Sequence, residues 1–253
     1  MKKLYVKSEL TFALIFIVIY CVLQSLANPL SRTVGVEGSF HAVFSIALTA
    51  FLLFFTIKNG LLERYGLCRP SVPARKFLWY IPLILLVGSN LWNGAAMNLP
   101  LVDTVCYLCN MLCVGFLEEV LFRGFLFKAM AKDNVKTAVI ISSVTFGIGH
   151  LLNLVNGRGM ELVENLCQVS GAIAIGFLFV TIFYRGGSLL PCIITHSAIN
   201  MVSVFVNEAG LTVEKQIVFS LLRFGIVIAY AFTLTKLLPK KQSIKVAADK
   251  NDS

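Results

Sequence analysis

Two adjacent carboxylates and an arginine lie within one apolar stretch of the sequence. Glu118 and Glu119 precede Arg123, and no other charged residue occurs between Gly115 and Gly124. An ionisable side chain inside a membrane costs about 2.5–3.5 kcal/mol or more, so its presence there predicts a function. Residues four apart share a helix face, and we therefore expect Glu119 and Arg123 to pair. Glu118, turned away by about 100°, is expected to stay unpaired.

An unpaired carboxylate in an apolar cavity suits acid–base chemistry, because burial favours its protonated form over its charged form. Glu118 is therefore predicted to act as a general base or acid near neutral pH. The sequence supplies further groups for such a reaction in two other apolar stretches, each of which contains one histidine.

These two histidines are His150, which follows Phe146 by four positions, and His196, which precedes Asn200 by four. On one helix face, His196 and Asn200 would direct two donors toward one point, as an oxyanion site requires. His150 could polarise or orient the attacking water. The third histidine, His41, is expected to be a helix-end residue at the membrane interface.

The apolar stretches dominate the composition of the chain. Its 253 residues are 57% hydrophobic and only 14% charged, with a mean hydropathy of +0.82, which excludes an ordinary soluble domain. Transmembrane helices need about 17–25 mostly apolar residues. The segments that meet this requirement are approximately 9–27, 39–57, 77–94, 104–130, 135–154, 163–184, 187–206 and 214–237. We predict an all-α polytopic bundle of about eight transmembrane helices, with the first segment retained rather than cleaved as a signal peptide.

The distribution of basic residues predicts the orientation of this bundle. With a cytoplasmic N-terminus and eight spans, seventeen of the 22 Lys and Arg residues fall on the cytoplasmic side and three fall outside: Arg32, Arg158 and Lys215. Cytoplasmic loops are richer in Lys and Arg, so both termini are predicted to be cytoplasmic. The net charge of +9 is accounted for in this way, and no nucleic-acid partner is expected.

Neither a second domain nor a disulfide framework is indicated. Residues 1–253 are predicted to form one membrane domain, with a flexible cytoplasmic tail over 239–253. Seven cysteines, an odd number, are scattered through apolar stretches, and Cys106, Cys109 and Cys113 on one helical face are expected to pack rather than to bind metal.

The motifs together resemble the CPBP family of intramembrane glutamic endopeptidases, also called the CAAX-protease, bacteriocin-processing or Abi family. Three family patterns occur in order over about residues 100–206, the predicted catalytic core. Glu-Glu-x-x-x-Arg is matched by Glu118, Glu119 and Arg123; Phe-x-x-x-His by Phe146 and His150; and His-x-x-x-Asn by His196 and Asn200.

The resemblance implies that Glu118 and His150 activate a water while His196 and Asn200 stabilise the oxyanion. Glu119, Arg123 and Phe146 would support the site, without cofactor or metal. It further implies a multi-pass protein of the cell membrane, of the bacterial plasma membrane in particular, whose partners are membrane lipids and a membrane-associated peptide or protein substrate.

Three alternatives stay open at this level. The chain could be a non-catalytic bacteriocin-immunity or scaffold protein of the same fold. It could be a zinc-dependent membrane protease, because two histidines and a glutamate can supply three zinc ligands. Buried carboxylates and histidines also form proton relays, so it could be a small ion-coupled transporter.

Overall fold

The computed structural model describes residues 1–152 and 162–239, and this part of the chain is almost entirely helical. The α-helices are α1 (Lys2–Lys7), α2 (Glu9–Val34), α3 (Ser39–Lys58), α4 (Ile81–Gly88), α5 (Leu101–Glu118), α6 (Phe127–Met130), α7 (Val135–Gly149), α8 (Leu162–Gly186), α9 (Leu190–Val202) and α10 (Val213–Leu237). A π-helix, Glu119–Leu126, joins α5 to α6, and short 3-10 segments cover Ala74–Tyr80, Ser89–Leu91 and Ser203–Phe205. Pairing of extended chain in the described ranges is limited to one bridge between Ala95 and Val206.

The prediction of an all-α polytopic membrane bundle is confirmed. In the described ranges, five helices are long and apolar enough to cross a membrane: Glu9–Val34, Ser39–Lys58, Leu101–Met130, Leu162–Gly186 and Val213–Leu237. Two shorter apolar helices, Val135–Gly149 and Leu190–Phe205, occupy the fifth and seventh predicted segments. The last two residues of the fifth segment, the loop with Arg158 and nearly all of the predicted tail lie outside the described residues.

The third predicted span, 77–94, is wrong as a continuous helix. Only Ile81–Gly88 is α-helical there, and eight residues cover about 12 Å, less than half of the hydrocarbon core. The helix cannot begin earlier because Leu78, Trp79 and Tyr80 have positive φ angles of 51°, 55° and 59°. Apolar composition predicted the location of this segment in the membrane but not this left-handed turn.

The fourth predicted span also differs from a regular α-helix. From Glu119 to Leu126 the chain adopts a π-helix, with its hydrogen bonds closing one residue later than in an α-helix. The eight residues of this π segment are all buried. The widened turn begins at Glu119, one residue after Glu118.

Contacts at the two ends of the bundle agree with the predicted alternation of loops. Glu9, at the start of α2, forms salt bridges with Arg64 and with Lys132, the latter at 2.9 Å. The start of α2, the segment that contains Arg64 and the segment that contains Lys132 are all predicted to be cytoplasmic. At the opposite end, the bridge between Ala95 and Val206 joins two segments that are predicted to lie outside. The absolute orientation and the single-domain boundary stay predictions.

Close packing of α5 on α9 positions the polar residues described next. A Cβ atom added at Gly115 would lie 2.5 Å from the backbone nitrogen of Ser197, so only glycine permits this approach. Ser197 Oγ in turn donates to the carbonyl of Leu112 at 3.0 Å. The two helices are therefore held together one turn before Glu118 on α5 and one residue after His196 on α9.

Candidate active site

The carboxylates of Glu118 and Glu119 lie where α5 changes into the π-helix. Glu118 is the last residue of α5, and its side chain keeps 12% of its surface exposed. Glu119 is the first residue of the π segment, and its side chain is fully buried. Two neighbouring residues of the same type therefore have different environments, one accessible and one enclosed.

His196 is the residue that joins these two carboxylates. Its Nδ1 atom lies 2.8 Å from Oε1 of Glu119, and its Nε2 atom lies 3.4 Å from Oε2 of Glu118. The second distance allows an ion pair, but the contact is not aligned as a hydrogen bond. The imidazole, with its side chain 9% exposed, thus lies between two acidic groups inside an apolar bundle.

The salt bridge that the four-residue spacing predicted between Glu119 and Arg123 is present. Arg123 Nη1 donates to Glu119 Oε1 at 3.1 Å, and both side chains are fully buried. The guanidinium lies 3.9 Å from the centre of the Phe146 ring, within cation–π distance. Arg123 therefore pairs with Glu119, and its guanidinium also contacts the ring of Phe146, the aromatic residue of the Phe-x-x-x-His pattern.

Glu118 is not unpaired, contrary to the prediction. The hydroxyl of Tyr20 in α2 donates to Glu118 Oε1 at 2.7 Å. Helical spacing within one segment carries no information about a partner 98 positions away in the chain. A sequence signal was nevertheless available, because Tyr20, Gln24 and Asn28 recur every four residues and form a polar stripe on an otherwise apolar helix.

His150 lies close to this group through Phe146. The Phe146 ring is 5.3 Å from the His150 ring and 5.7 Å from the His196 ring, centre to centre, and it meets both nearly edge-on. His150 is half-buried at the C-terminal end of α7. Asn165, a buried residue of α8 that the sequence analysis missed, donates from Nδ2 to the His150 carbonyl at 3.0 Å.

Asn200 lies one turn after His196 on α9 and is half-buried. Its backbone carbonyl accepts a hydrogen bond from Ser203 Oγ at 2.7 Å. Among the described residues, the Asn200 side-chain amide has no hydrogen-bond partner from the protein. The structure therefore brings Glu118, Glu119, Arg123 and His196 into direct contact, whereas Asn200 and His150 flank them.

His41 lies near a helix end, as expected, being the third residue of α3. It is buried, with Nδ1 2.7 Å from Gln24 Oε1 and Nε2 3.0 Å from Asn28 Oδ1. Gln24 also donates to Ser45, which donates to Asn110. Polar groups on α2 and α5 thus provide partners that allow burial, and the interfacial location stays a prediction.

The central group combines two carboxyl groups, one guanidinium and one imidazole, so groups of opposite charge type lie side by side in an apolar bundle. Pairing of this kind offsets part of the cost of burying a charge. An ionised Glu119 can only accept hydrogen bonds, so it favours the His196 tautomer with its proton on Nδ1.

Two histidines and a glutamate could also bind a metal ion such as zinc. Across residues 1–152 and 162–239, no three side chains of His, Cys, Asp or Glu are arranged as a metal site. The seven cysteines are all free thiols, including Cys106, Cys109 and Cys113. The arrangement that is present, a carboxylate beside an imidazole, contains the two kinds of side chain that most often move protons to and from a bound water.

Comparison with known protein families gives a match over the segment that contains the motifs. Residues 100–202 match the model of the Rce1-like family, described as type II CAAX prenyl endopeptidase Rce1-like. Comparisons with curated proteins and with solved structures gave no significant match.

The matched segment runs from α5 to the end of α9 and contains all the residues of the three motifs. It does not include α2, which contributes Tyr20. Over residues 100–202 the chain is therefore similar to the Rce1-like family, in agreement with the predicted resemblance to the CAAX-protease family.

Proposed function

We propose that this protein is a glutamic intramembrane endopeptidase that hydrolyses a peptide bond in a membrane-associated peptide or protein. At the level of the family, an Rce1-like domain is a CAAX-type endopeptidase. The observation that carries the finer proposal is the contact of Glu118 Oε2 with His196 Nε2 at 3.4 Å, inside an apolar bundle. Of the two carboxylates, the Glu118 side chain keeps 12% of its surface exposed and Glu119 keeps none, so we propose Glu118 as the one that takes a proton from a water.

In the proposed reaction, Glu118 accepts a proton from a water whose oxygen attacks the peptide carbonyl carbon. The carbonyl π electrons move to the oxygen and form a tetrahedral oxyanion. When the C–N bond breaks, its electrons pass to the amine nitrogen, which takes the proton from Glu118. Water is consumed, a carboxylic acid and an amine are released, and no covalent enzyme intermediate is needed.

His196 and Asn200 are proposed to stabilise the oxyanion. If Nδ1–H is donated to Glu119, a second donor on Nε2 requires the imidazolium ion, and we propose that His196 takes this form when it stabilises the oxyanion. The Asn200 amide, to which no other side chain or carbonyl of the described ranges is hydrogen-bonded, is available to be the second donor. His150, half-buried beyond Phe146, is proposed to orient the attacking water together with Glu118.

Glu119, Arg123 and Phe146 are proposed to support the reacting groups rather than to react. Glu119 holds His196 through its Oε1 atom, and Arg123 neutralises Glu119. Phe146 contacts Arg123 and the two histidines, so its ring fixes their separation. We propose that neither a cofactor nor a metal takes part, and that the protein acts in the bacterial plasma membrane.

The most direct experiment is mass spectrometry of membrane-associated peptides from cells that produce the wild-type chain or Glu118→Gln. Loss of a general base lowers a rate by about 10²–10⁴-fold, so we expect specific cleavage products to disappear with Glu118→Gln. Glu208→Gln serves as a matched control because Glu208 is an exposed carboxylate in the segment between α9 and α10. The comparison is made at equal amounts of folded protein in the membrane for the wild type, Glu118→Gln and Glu208→Gln.

Two outcomes would favour other functions. If Glu118→Gln retains the cellular function and no peptide differs, the protein is a binding or immunity protein that uses the polar group for packing. If purified protein in liposomes shows a proton flux that disappears with Glu118→Gln, the group is a transport relay instead. Either result contradicts the proposed peptidase.

A further inference from the structure

Tyr20 reaches the candidate active site from outside the Rce1-like segment. It lies in α2, is buried with 8% of its surface exposed, and donates to Glu118 Oε1 at 2.7 Å. Helix α2 packs directly against the π segment that follows Glu118. The first span of the bundle therefore supplies a hydrogen bond to the carboxylate that is proposed to react.

This hydrogen bond makes the two oxygens of Glu118 different. Oε1 accepts the Tyr20 proton, whereas Oε2 faces His196 Nε2 and has no hydrogen bond from the described part of the chain. A glutamate side chain has several rotatable bonds, and fixing them in one arrangement normally costs entropy. A single strong donor on Oε1 selects the arrangement in which Oε2 points at the imidazole.

Hydrogen bonds to charged groups are stronger than those between neutral groups, and they are short when well aligned. The 2.7 Å distance from the Tyr20 hydroxyl is in this range. Because the donor belongs to a different helix, the position of Glu118 depends on the packing of α2 against the π segment and not on α5 alone.

We propose that Tyr20 is a positioning residue for the reaction, which holds Glu118 so that Oε2 faces His196 and the attacking water. This inference rests on the proposed peptidase function. The competing explanation is that the hydroxyl only fastens α2 to α5, as polar side chains often do in membrane bundles. The two explanations differ in whether removing the hydroxyl changes turnover or only stability.

The test compares Tyr20→Phe with Tyr230→Phe in purified full-length protein. Each substitution deletes a buried hydroxyl that donates a hydrogen bond at 2.7 Å. The Tyr20 hydroxyl donates to Glu118 Oε1 and the Tyr230 hydroxyl donates to the carbonyl of Phe77, so each variant loses that hydrogen bond. The probe is a fluorogenic peptide ending in a farnesylated CAAX sequence, the class named in the family description. For Tyr20→Phe we expect kcat to fall about 10–100-fold with KM changed less than about twofold, the size of one hydrogen bond to a charged group.

A second measurement does not depend on cleavage of the probe. Dicyclohexylcarbodiimide modifies protonated carboxyl groups in membranes, and the modified residue is identified by mass spectrometry. Without the donor on Oε1, the charged form of Glu118 is less favoured, so labelling of Glu118 should be several times faster in Tyr20→Phe. In Tyr230→Phe the labelling rate should equal that of the wild type.

The outcomes separate the two proposals. If Tyr20→Phe and Tyr230→Phe have the same kcat, Tyr20 is not a positioning residue. If the wild-type protein does not cleave the probe, the labelling rate of Glu118 decides instead, and equal rates in the two variants lead to the same conclusion. If Glu118→Gln cleaves the probe as fast as the wild type, the proposed peptidase mechanism fails and the role of Tyr20 with it. If Glu118→Gln is inactive while Tyr20→Phe is fully active, only the inference about Tyr20 is overturned.

Discussion

The Nδ1 atom of His196 lies 2.8 Å from Oε1 of Glu119, although 77 positions separate the two residues in the chain. The same Oε1 atom accepts the proton of Arg123 Nη1 at 3.1 Å. One carboxylate oxygen therefore receives both a guanidinium and an imidazole donor, which fixes the imidazole orientation and directs its Nε2 atom to Glu118. A carboxylate that orients a histidine in this way determines which nitrogen carries the proton.

Replacing His196 by Gln should abolish proteolysis and leave the bundle folded. The amide of Gln can still donate to Glu119, but it cannot be protonated to give a cationic donor on the Glu118 side. We expect cleavage to fall at least about 10²-fold. Turnover of the peptide identified by mass spectrometry, together with the amount of monodisperse protein, measures both effects.

His41→Gln is the matched control for this substitution, because His41 is also buried but belongs to the cluster with Gln24 and Asn28. We expect a lower melting temperature and unchanged turnover for His41→Gln. If His196→Gln and His41→Gln lose turnover equally, His196 acts only through its contribution to the fold, as His41 does.

Arg123→Ala should lower the stability of the protein as well as its activity. Removing the guanidinium leaves the fully buried Glu119 without its countercharge, a change that typically costs about 3–5 kcal/mol. It also removes the cation that rests on the Phe146 ring. Reversible unfolding in detergent micelles measures the loss.

The control for Arg123→Ala is the double variant Arg123→Ala, Glu119→Gln, in which the unpaired charge is removed. We expect this double variant to regain part of the lost stability but no activity, because Glu119 no longer holds His196 as a carboxylate. A double variant as unstable as the single one would show that the cost does not come from the buried charge.

Gly115→Ala should separate the two halves of the site. The added methyl group would lie 2.5 Å from the Ser197 backbone nitrogen, so α9 must move away from α5 and carry His196 with it. Overpacking of this kind costs about 1–3 kcal/mol, and a small displacement of reacting groups can reduce a rate by about 10²-fold.

Gly171→Ala is the natural comparison for Gly115→Ala, since a Cβ at Gly171 in α8 would meet no atom within 4 Å. We expect this variant to be as active as the wild type and at least as stable, because alanine favours helix over glycine. Normal turnover by Gly115→Ala would mean that the close approach of α5 and α9 is not needed for catalysis.

Chelators should not inhibit the purified protein. The proposed reaction uses Glu118 and histidine side chains, and the described residues contain no arrangement of three metal ligands. Cleavage of the same peptide before and after dialysis against EDTA and 1,10-phenanthroline measures this. Inhibition that is restored by added zinc would replace the glutamic mechanism with a metal-dependent one.

The sequence by itself determined the class of fold and the chemistry that the site contains. Long uncharged segments are forced to be helical in a membrane, because no other local structure satisfies the backbone there. The cost of burying charge marked Glu118, Glu119 and Arg123, and their spacing within one helix correctly predicted the salt bridge. These inferences concern local relations, which depend only on neighbours along the chain.

The relations between helices were decided by the tertiary structure. The donor to Glu118 is a tyrosine 98 positions away, and His196 reaches both carboxylates only because Gly115 lets α9 approach α5. The π-helix after Glu118 and the left-handed turn before Ile81 are likewise set by packing. Periodicity can mark a polar stripe, as for Tyr20, Gln24 and Asn28, but it does not identify the partner, because a side chain's partner on another helix depends on how helices are rotated and how closely they pack.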